Sequence, residues 1–172
     1  MERELYSKID EELNIPVENR IFPEPGKEGF IWERICELGG VDISFGGIGI
    51  NGHIAFNEPP EEGDNITDEE FKNLGTRVLM LSRETRTINA VTAAKGFIDA
   101  IPKWCITIGM KEILSARKIR FYMNRRWQCG IVRKILHGPV TAKVPASFFQ
   151  EHPDAKLTIA SYVAEQPIGE LA

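Results

Sequence analysis

Hydrophobic positions recur with two different periods along the chain, and their succession predicts an α/β fold. Spacings of three and four residues predict helices, whereas strict alternation predicts strands. Apolar residues at helical spacing from Phe30 to Leu38 mark a helix that ends at Gly39-Gly40, and residues 41–45 then alternate. A helix, a glycine stop, a strand and a glycine-rich loop follow one another as they do in α/β units.

The same two periods predict the remaining elements. Short strands that alternate with helices favour a parallel sheet, buried and covered by helices on both faces. In such a sheet ligands bind at the carboxyl ends of strands, which is where the loop after Phe45 lies. The predicted helices cover residues 2–13, 68–74, 110–116, 125–136 (capped by Asn124) and the segment that starts at Ser82, with a helical turn at 146–151, and the further strands cover 76–81, 103–109, 118–123 and 156–159.

Composition narrows the class of partner. The chain has 172 residues, of which 42% are hydrophobic, so it is long enough for a single domain with its own core. A net charge of -4 gives no reason to expect nucleic acid or a membrane surface as partner, and a small molecule is the better expectation. Cys36, Cys105 and Cys129 lie far apart, which argues against disulfides or a metal site and favours a cytoplasmic protein.

The chemistry concentrates in the glycine-rich stretch at residues 46–59. His53 is the side chain best suited to move a proton near neutral pH, and Glu58 could orient its ring and stabilise its charged form. The alternative is a structural loop histidine with a glutamate that caps a helix or lies on the surface. The glycine spacing matches neither a nucleotide P-loop nor a dinucleotide fingerprint.

The residues of this stretch resemble a known signature. Residues 47–59 read Gly-Ile-Gly-Ile-Asn-Gly-His-Ile-Ala-Phe-Asn-Glu-Pro, which is similar to the GxGxDGHIAFNEP of the glucosamine-6-phosphate deaminase/isomerase family. The similarity continues through residues 81–86, 101–109, 138–139 and 145–153, and nearly the whole chain resembles the C-terminal two-thirds of the family. The resemblance implies a three-layer, mostly parallel, Rossmann-like sheet that lacks its first βα units.

The resemblance also implies a reaction, the conversion of glucosamine 6-phosphate and water to fructose 6-phosphate and ammonia, with neither metal nor cofactor. His53 would open the sugar ring as acid and base, with Glu58 and Asn51 as its partners. The signature has Asp where this chain has Asn51, and an amide carries no charge to stabilise an imidazolium. Asn51→Asp is therefore predicted to preserve or raise deaminase activity. Substrate would also approach the backbone of the loop glycines, Gly47, Gly49 and Gly52.

Two departures from the family pattern affect substrate binding. The cations that hold the sugar phosphate in the family fall at Val91 and Gln128 here, and Arg125 and Arg126 are predicted to replace them. The alternative is that these two arginines form a solvated surface pair. The family's upstream phosphate loop and catalytic aspartate have no match, so the single domain over residues 1–172 is expected to be truncated at its N-terminus, with an uncovered sheet edge.

Three functional hypotheses follow from these features. The first is an amino-sugar-phosphate deaminase/isomerase, incomplete as given, whose activity by itself is open. The second is a non-catalytic sugar-phosphate-binding or regulatory module of the same fold, and the third is a subunit that contributes only structure. Family resemblance further implies a homo-oligomer and a mobile lid over residues 61–96.

Overall fold

Residues 2–167 are described by a computed structural model. Five helices and five strands form the framework, joined by loops and short 3₁₀ turns. The helices are α1 (Gly29–Glu37), α2 (Asp68–Lys72), α3 (Arg83–Ala93), α4 (Met110–Leu114) and α5 (Cys129–His137), and the strands are β1 (Ile43–Gly47), β2 (Arg77–Met80), β3 (Trp104–Thr107), β4 (Lys118–Met123) and β5 (Ala155–Ile159). The longest 3₁₀ segment is Pro145–Glu151.

The central sheet is parallel and three-stranded, in the order β1-β4-β5. Phe45 of β1 is in register with Arg120 of β4, and Phe121 is in register with Leu157 of β5. Strands β2 and β3 form a separate antiparallel pair, in which Arg77 faces Thr107. The predicted α/β class with a parallel sheet is confirmed, but two of the predicted strands lie outside that sheet.

One face of the parallel sheet builds the core. Ile119, Phe121 and Met123 alternate along β4 with at most 3% exposure, and their side chains pack with Ile135 of α5 and Phe148 of the 3₁₀ segment. Because successive strand side chains point to opposite faces, this periodicity of two places the apolar set on one side. The β4 boundaries agree with those predicted from the alternation alone.

The opposite face of the sheet is open in the described structure. Phe45 is 65% exposed, Tyr122 50% and Ile43 41%. Their neighbours on that face include Lys118 and Arg120, which pair in register with Ile43 and Phe45. Helices therefore cover one face of the sheet among residues 2–167, and the helical layer expected on the second face is not seen there.

The predicted N-terminal helix does not form. Residues 2–13 contain only 3₁₀ turns, at Tyr6–Lys8 and Glu11–Leu13. Leu5 and Leu13 have the right spacing but are 41% and 79% exposed, so no apolar face is buried there. Short helices depend on the packing of such a face, and without it the hydrogen-bond gain does not offset the cost of nucleation.

Capping explains where the later helices begin. Ser82 caps α3 as predicted, accepting a hydrogen bond from the Thr85 N–H over 3.1 Å. Helix α5 begins at Cys129 rather than at the predicted position 125, because Arg126–Gln128 form a 3₁₀ turn first. Asn124 is therefore not its cap. No helix within the described residues combines the length and the apolar character needed to cross a membrane.

Candidate functional site

The glycine-rich loop leaves the carboxyl end of β1 and folds back on itself at once. Gly49 N–H donates to the His53 carbonyl over 2.9 Å, and Gly52, with φ of 87°, donates to the Gly49 carbonyl over 3.1 Å. A Cβ at Gly49 would overlap the imidazole of His53. Glycine is required at both positions, at Gly49 by close approach and at Gly52 by the left-handed backbone.

Three side chains of the loop form one hydrogen-bonded network. His53 Nδ1 lies 2.7 Å from Asn51 Oδ1 and 3.2 Å from Glu58 Oε2. Asn51 Nδ2 donates to the same Glu58 oxygen over 2.8 Å, and Asn51 Oδ1 also accepts from the His53 backbone N–H over 3.2 Å. The two loop groups that face Nδ1 are both acceptors, so Nδ1 carries the proton and Nε2 is free to accept one.

Glu58 supplies the negative charge of this network. Its side chain is 12% exposed, and burial by itself would raise the pKa of its carboxyl. Hydrogen bonding and charge from His53, together with hydrogen bonds from Asn51 and Thr85, outweigh burial and lower the pKa of Glu58 to about 2. The carboxylate is therefore ionised at every pH at which the protein would work.

Helix α3 brings one more side chain to the network. Thr85 is fully buried, and its Oγ1 lies 3.3 Å from His53 Nδ1. Its position in the third residue of α3 follows from the cap at Ser82, which fixes the first turn of the helix. Sequence reasoning assigned Thr85 no role, because it lies 32 positions after His53 and only the fold brings the two together.

A second set of contacts fixes the loop against the β2–β3 pair. Phe56 N–H donates to Thr107 Oγ1 over 3.0 Å, and the fully buried Asn57 donates from Nδ2 to the Ile108 carbonyl over 2.9 Å. Arg77 of β2 donates to Asn57 Oδ1 over 2.7 Å. Ala55, which immediately precedes Phe56, has a φ of 53°, a strained conformation for a residue with a side chain. Residues 56 and 57 of the loop are thus fixed to the β2–β3 pair by hydrogen bonds that are separate from those of the network.

The three loop residues of the network line different cavities. Asn51 lines a cavity of about 530 Å³ together with Trp127, Lys134 and Lys143. Glu58 lines one of about 380 Å³. His53 lines one of about 400 Å³, next to the residues of β1. Each loop residue of the network therefore lines a solvent-accessible space, and a ligand could reach the network from more than one side.

The predicted substrate-binding residues are only partly brought together. Gly47 and Gly49 line the cavity that His53 lines, and Gly52 lies against the side chains of Val144 and Ile131. Arg126 instead lies 3.4 Å from Glu165 and over the ring of Tyr162.

Both arginines of the predicted pair, Arg125 and Arg126, are exposed. Neither lines any of these three cavities. The cavity that Asn51 lines is also lined by two cations, Lys134 and Lys143. Apart from their charge, nothing in the sequence pointed to these two lysines.

The two positions where the family pattern places cations have other surroundings. Gln128 is 3% exposed, donates from Nε2 to the Ile48 carbonyl over 2.7 Å and accepts from the Arg125 N–H over 2.8 Å. Its amide therefore joins the start of α5 to the end of β1. Val91 is 64% exposed on α3. Within residues 2–167, no group of three or more His, Cys, Asp or Glu side chains could hold a metal ion.

Comparison with known proteins identifies glucosamine-6-phosphate deaminases as relatives. The chain is 37% identical over 148 residues to a glucosamine-6-phosphate deaminase of Lachnoclostridium phytofermentans, covering 83% of the chain and 58% of that protein. It is 30% identical over 164 residues to a glucosamine-6-phosphate deaminase of Clostridium perfringens, covering 90% and 62%. No family model matches the chain.

A solved structure agrees with these relatives. A monomeric glucosamine-6-phosphate deaminase matches with a TM-score of 0.66 and 34% identity, over 77% of the chain and 50% of that protein. The chain thus spans between half and about three fifths of the length of these proteins, slightly less than the two thirds expected from the motifs.

Proposed function

We propose that the loop network opens the ring of a hexosamine 6-phosphate. The premise is that the chain belongs to the glucosamine-6-phosphate deaminase family over the part of that family's length which it spans. The observation that carries the proposal is the arrangement of Asn51 between His53 and Glu58, at 2.7 and 2.8 Å. It holds the imidazole with Nδ1–H toward the protein and Nε2 toward a ligand.

Ring opening needs a group that first accepts and then donates a proton. Nε2 of His53 takes the proton from the hydroxyl on C1 of the sugar. A C=O double bond forms at C1, the bond from C1 to the ring oxygen breaks, and the imidazolium returns the proton to that oxygen. Nε2 has no hydrogen-bond partner in the described part of the chain, which supports this use of it.

The amide and the carboxylate divide the work that two carboxylates do in the family signature. Asn51 fixes the tautomer of His53 by accepting from Nδ1. Glu58, ionised and 3.2 Å from the same nitrogen, stabilises the imidazolium while it exists. The later proton transfer between C2 and C1, which the deamination requires, is assigned to no member of this network.

Ammonia release from glucosamine 6-phosphate tests the full reaction. The purified chain is compared with His53→Gln and with His137→Gln, a matched variant at an exposed histidine near the end of α5. We expect the unmodified chain and His137→Gln to release ammonia. The rate should fall about 100-fold or more in His53→Gln, since general acid–base catalysis contributes about 10²–10⁴-fold. A folded His53→Gln variant that keeps the wild-type rate would refute the proposal.

A second function is supported by Asn51. A neutral amide at this position, together with the absence of the family's cations at Val91 and Gln128, suits a module that binds a sugar phosphate without turning it over. Thermal stabilisation by glucosamine 6-phosphate, with no ammonia release and no ring opening, would favour this module over the enzyme. Stabilisation that accompanies turnover would favour the enzyme.

The remaining features of the proposal come from family resemblance. Residues 61–96, which contain α2, β2 and α3, are proposed as a lid, and the contact from Arg77 to Asn57 would connect its position to the loop. A cytoplasmic location and a homo-oligomeric state stay predictions from the sequence. The solved relative is described as monomeric.

A further inference from the structure

Thr85 occupies a position in the network that the family signature does not include. It is fully buried on α3, and its backbone N–H is already bound to Ser82 Oγ, so the hydroxyl is its only free polar group on that side. Oγ1 lies 3.3 Å from His53 Nδ1. A buried hydroxyl beside two titratable groups must find a partner among them, because leaving it unpaired is costly.

The proton on His53 Nδ1 determines which group can accept a hydrogen bond from the Thr85 hydroxyl. Asn51 donates from Nδ2 to Glu58, so its Oδ1 faces His53 Nδ1 and that nitrogen carries a proton. Thr85 therefore cannot donate to Nδ1. The remaining acceptor within the network is the Glu58 carboxylate, whose Oε1 is buried and has no hydrogen-bond partner of its own. The hydroxyl also contributes to the low pKa of Glu58.

We propose, building on the proposed function of this site, that Thr85 is a positioning residue whose hydroxyl holds the Glu58 carboxylate against His53. Glu58 is the one carboxylate of the network, because position 51 is an amide. The orientation of the imidazole thus depends on where a single carboxylate lies. The hydroxyl makes that placement depend on the docking of α3, since Thr85 is the α3 residue that reaches the network.

The test removes the hydroxyl while keeping the shape of the side chain. Thr85→Val is isosteric, Thr85→Ser restores the hydroxyl, and Thr85→Ala provides a second variant without it in case valine prevents folding. Thr92→Val makes the same change at an exposed threonine on the same helix, whose hydroxyl bonds only to the Ile88 carbonyl. All variants are first checked for folding by circular dichroism and urea unfolding.

Two readouts are measured on the full chain. Nitrogen-15 NMR of the imidazole reports which ring nitrogen of His53 carries the proton, and ammonia release from glucosamine 6-phosphate gives kcat and KM. In Thr85→Val and Thr85→Ala we expect a lower fraction of the Nδ1–H tautomer. We expect kcat to fall about 10- to 100-fold with little change in KM, as for a lost hydrogen bond to a charged group. Thr85→Ser and Thr92→Val are expected to match the wild type.

The two readouts separate this inference from the proposed function. If the valine and alanine variants keep the wild-type tautomer, the inference is wrong, whether or not ammonia is released. If the wild-type chain releases no ammonia but these variants shift the tautomer, the positioning role of Thr85 stands and the deaminase assignment fails. A merely structural role for Thr85 would lower stability in all three Thr85 variants without a tautomer shift that depends on the hydroxyl.

Discussion

Asn51 donates a hydrogen bond from Nδ2 to Oε2 of Glu58 over 2.8 Å, so an amide lies between the carboxylate and the imidazole of His53. The arrangement keeps one negative charge near Nδ1 instead of two. The amide oxygen of Asn51 is the acceptor from Nδ1, at the position where the GxGxDGHIAFNEP signature has a carboxylate.

Replacing Asn51 by Asp should make stability depend on pH. The change places a second carboxylate 2.8 Å from Glu58 Oε2, which raises the pKa of one carboxyl in the folded state. Such a group destabilises the fold as pH rises through its folded pKa. We expect Asn51→Asp to lose about 1–2 kcal/mol relative to the wild type on going from pH 5 to pH 8.

Urea unfolding at the two pH values measures this difference. Asn51→Ala serves as the control, because it also removes the amide but adds no charge. If Asn51→Asp and Asn51→Ala show the same pH dependence, the two carboxylates do not interact as the geometry requires. The prediction from sequence, that Asn51→Asp preserves or raises deaminase activity, remains to be measured in the same preparations.

Glu58 should contribute an acid-sensitive part of the stability. Its pKa of about 2 in the folded protein lies below the ordinary value of 4.5, so its contribution is complete above pH 4.5 and is lost as pH falls toward 2. By pH 3 the loss should reach at most about 2 kcal/mol. Unfolding free energies of the wild type and Glu58→Gln at pH 5.5 and pH 3 should converge by that amount, and parallel curves would contradict the assigned pKa.

Two phenylalanines on adjacent strands should differ sharply in their effect on stability. Phe121 is 3% exposed in the core, while Phe45 is 65% exposed on the open face of the sheet. Phe121→Ala should cost about 3–5 kcal/mol, and Phe45→Ala less than about 1 kcal/mol. Chemical denaturation of the two variants decides the matter. A large loss in Phe45→Ala would mean that this face is covered in solution.

Arg77 should control the rigidity of the loop from outside the network. Arg77→Met removes the donor to Asn57 Oδ1 and leaves a buried amide oxygen unpaired, at a cost of about 1–3 kcal/mol. Amide hydrogen exchange over residues 53–58 should accelerate. Arg83→Met, at the exposed first residue of α3, is the control and should leave exchange in the loop unchanged. Equal protection in both variants would show that the contact does not hold the loop.

Local patterns in the sequence were sufficient to predict the elements whose bounds depend on neighbouring residues. The alternation over β4 gave its bounds, and the Ser82 cap placed α3, because both depend on neighbouring residues. The N-terminal segment has helical spacing up to Leu13 and yet forms only 3₁₀ turns. Its helix would need a surface to pack on, which the pattern does not contain.

Relationships between distant segments were beyond the sequence. Nothing in residues 76–81 or 103–109 indicates that they pair with each other in antiparallel fashion and not with the parallel sheet. The signature identified the three loop members of the network, including His53, since they lie within eight positions of one another. Thr85 was missed because the final position of a side chain depends on tertiary packing. Arg126, which is predicted to bind phosphate, lies 3.4 Å from Glu165 in the structure.

Exchange between the α and β anomers of glucosamine 6-phosphate tests the ring-opening role of His53 most directly, because exchange requires ring opening and does not require the later proton transfer or loss of ammonia. NMR exchange spectroscopy measures its rate with the wild-type chain, His53→Gln and His137→Gln. We expect the wild type and His137→Gln to accelerate exchange and His53→Gln to leave its rate unchanged. An exchange rate that the folded wild-type chain leaves unchanged, or that His53→Gln accelerates equally, would contradict this role of His53.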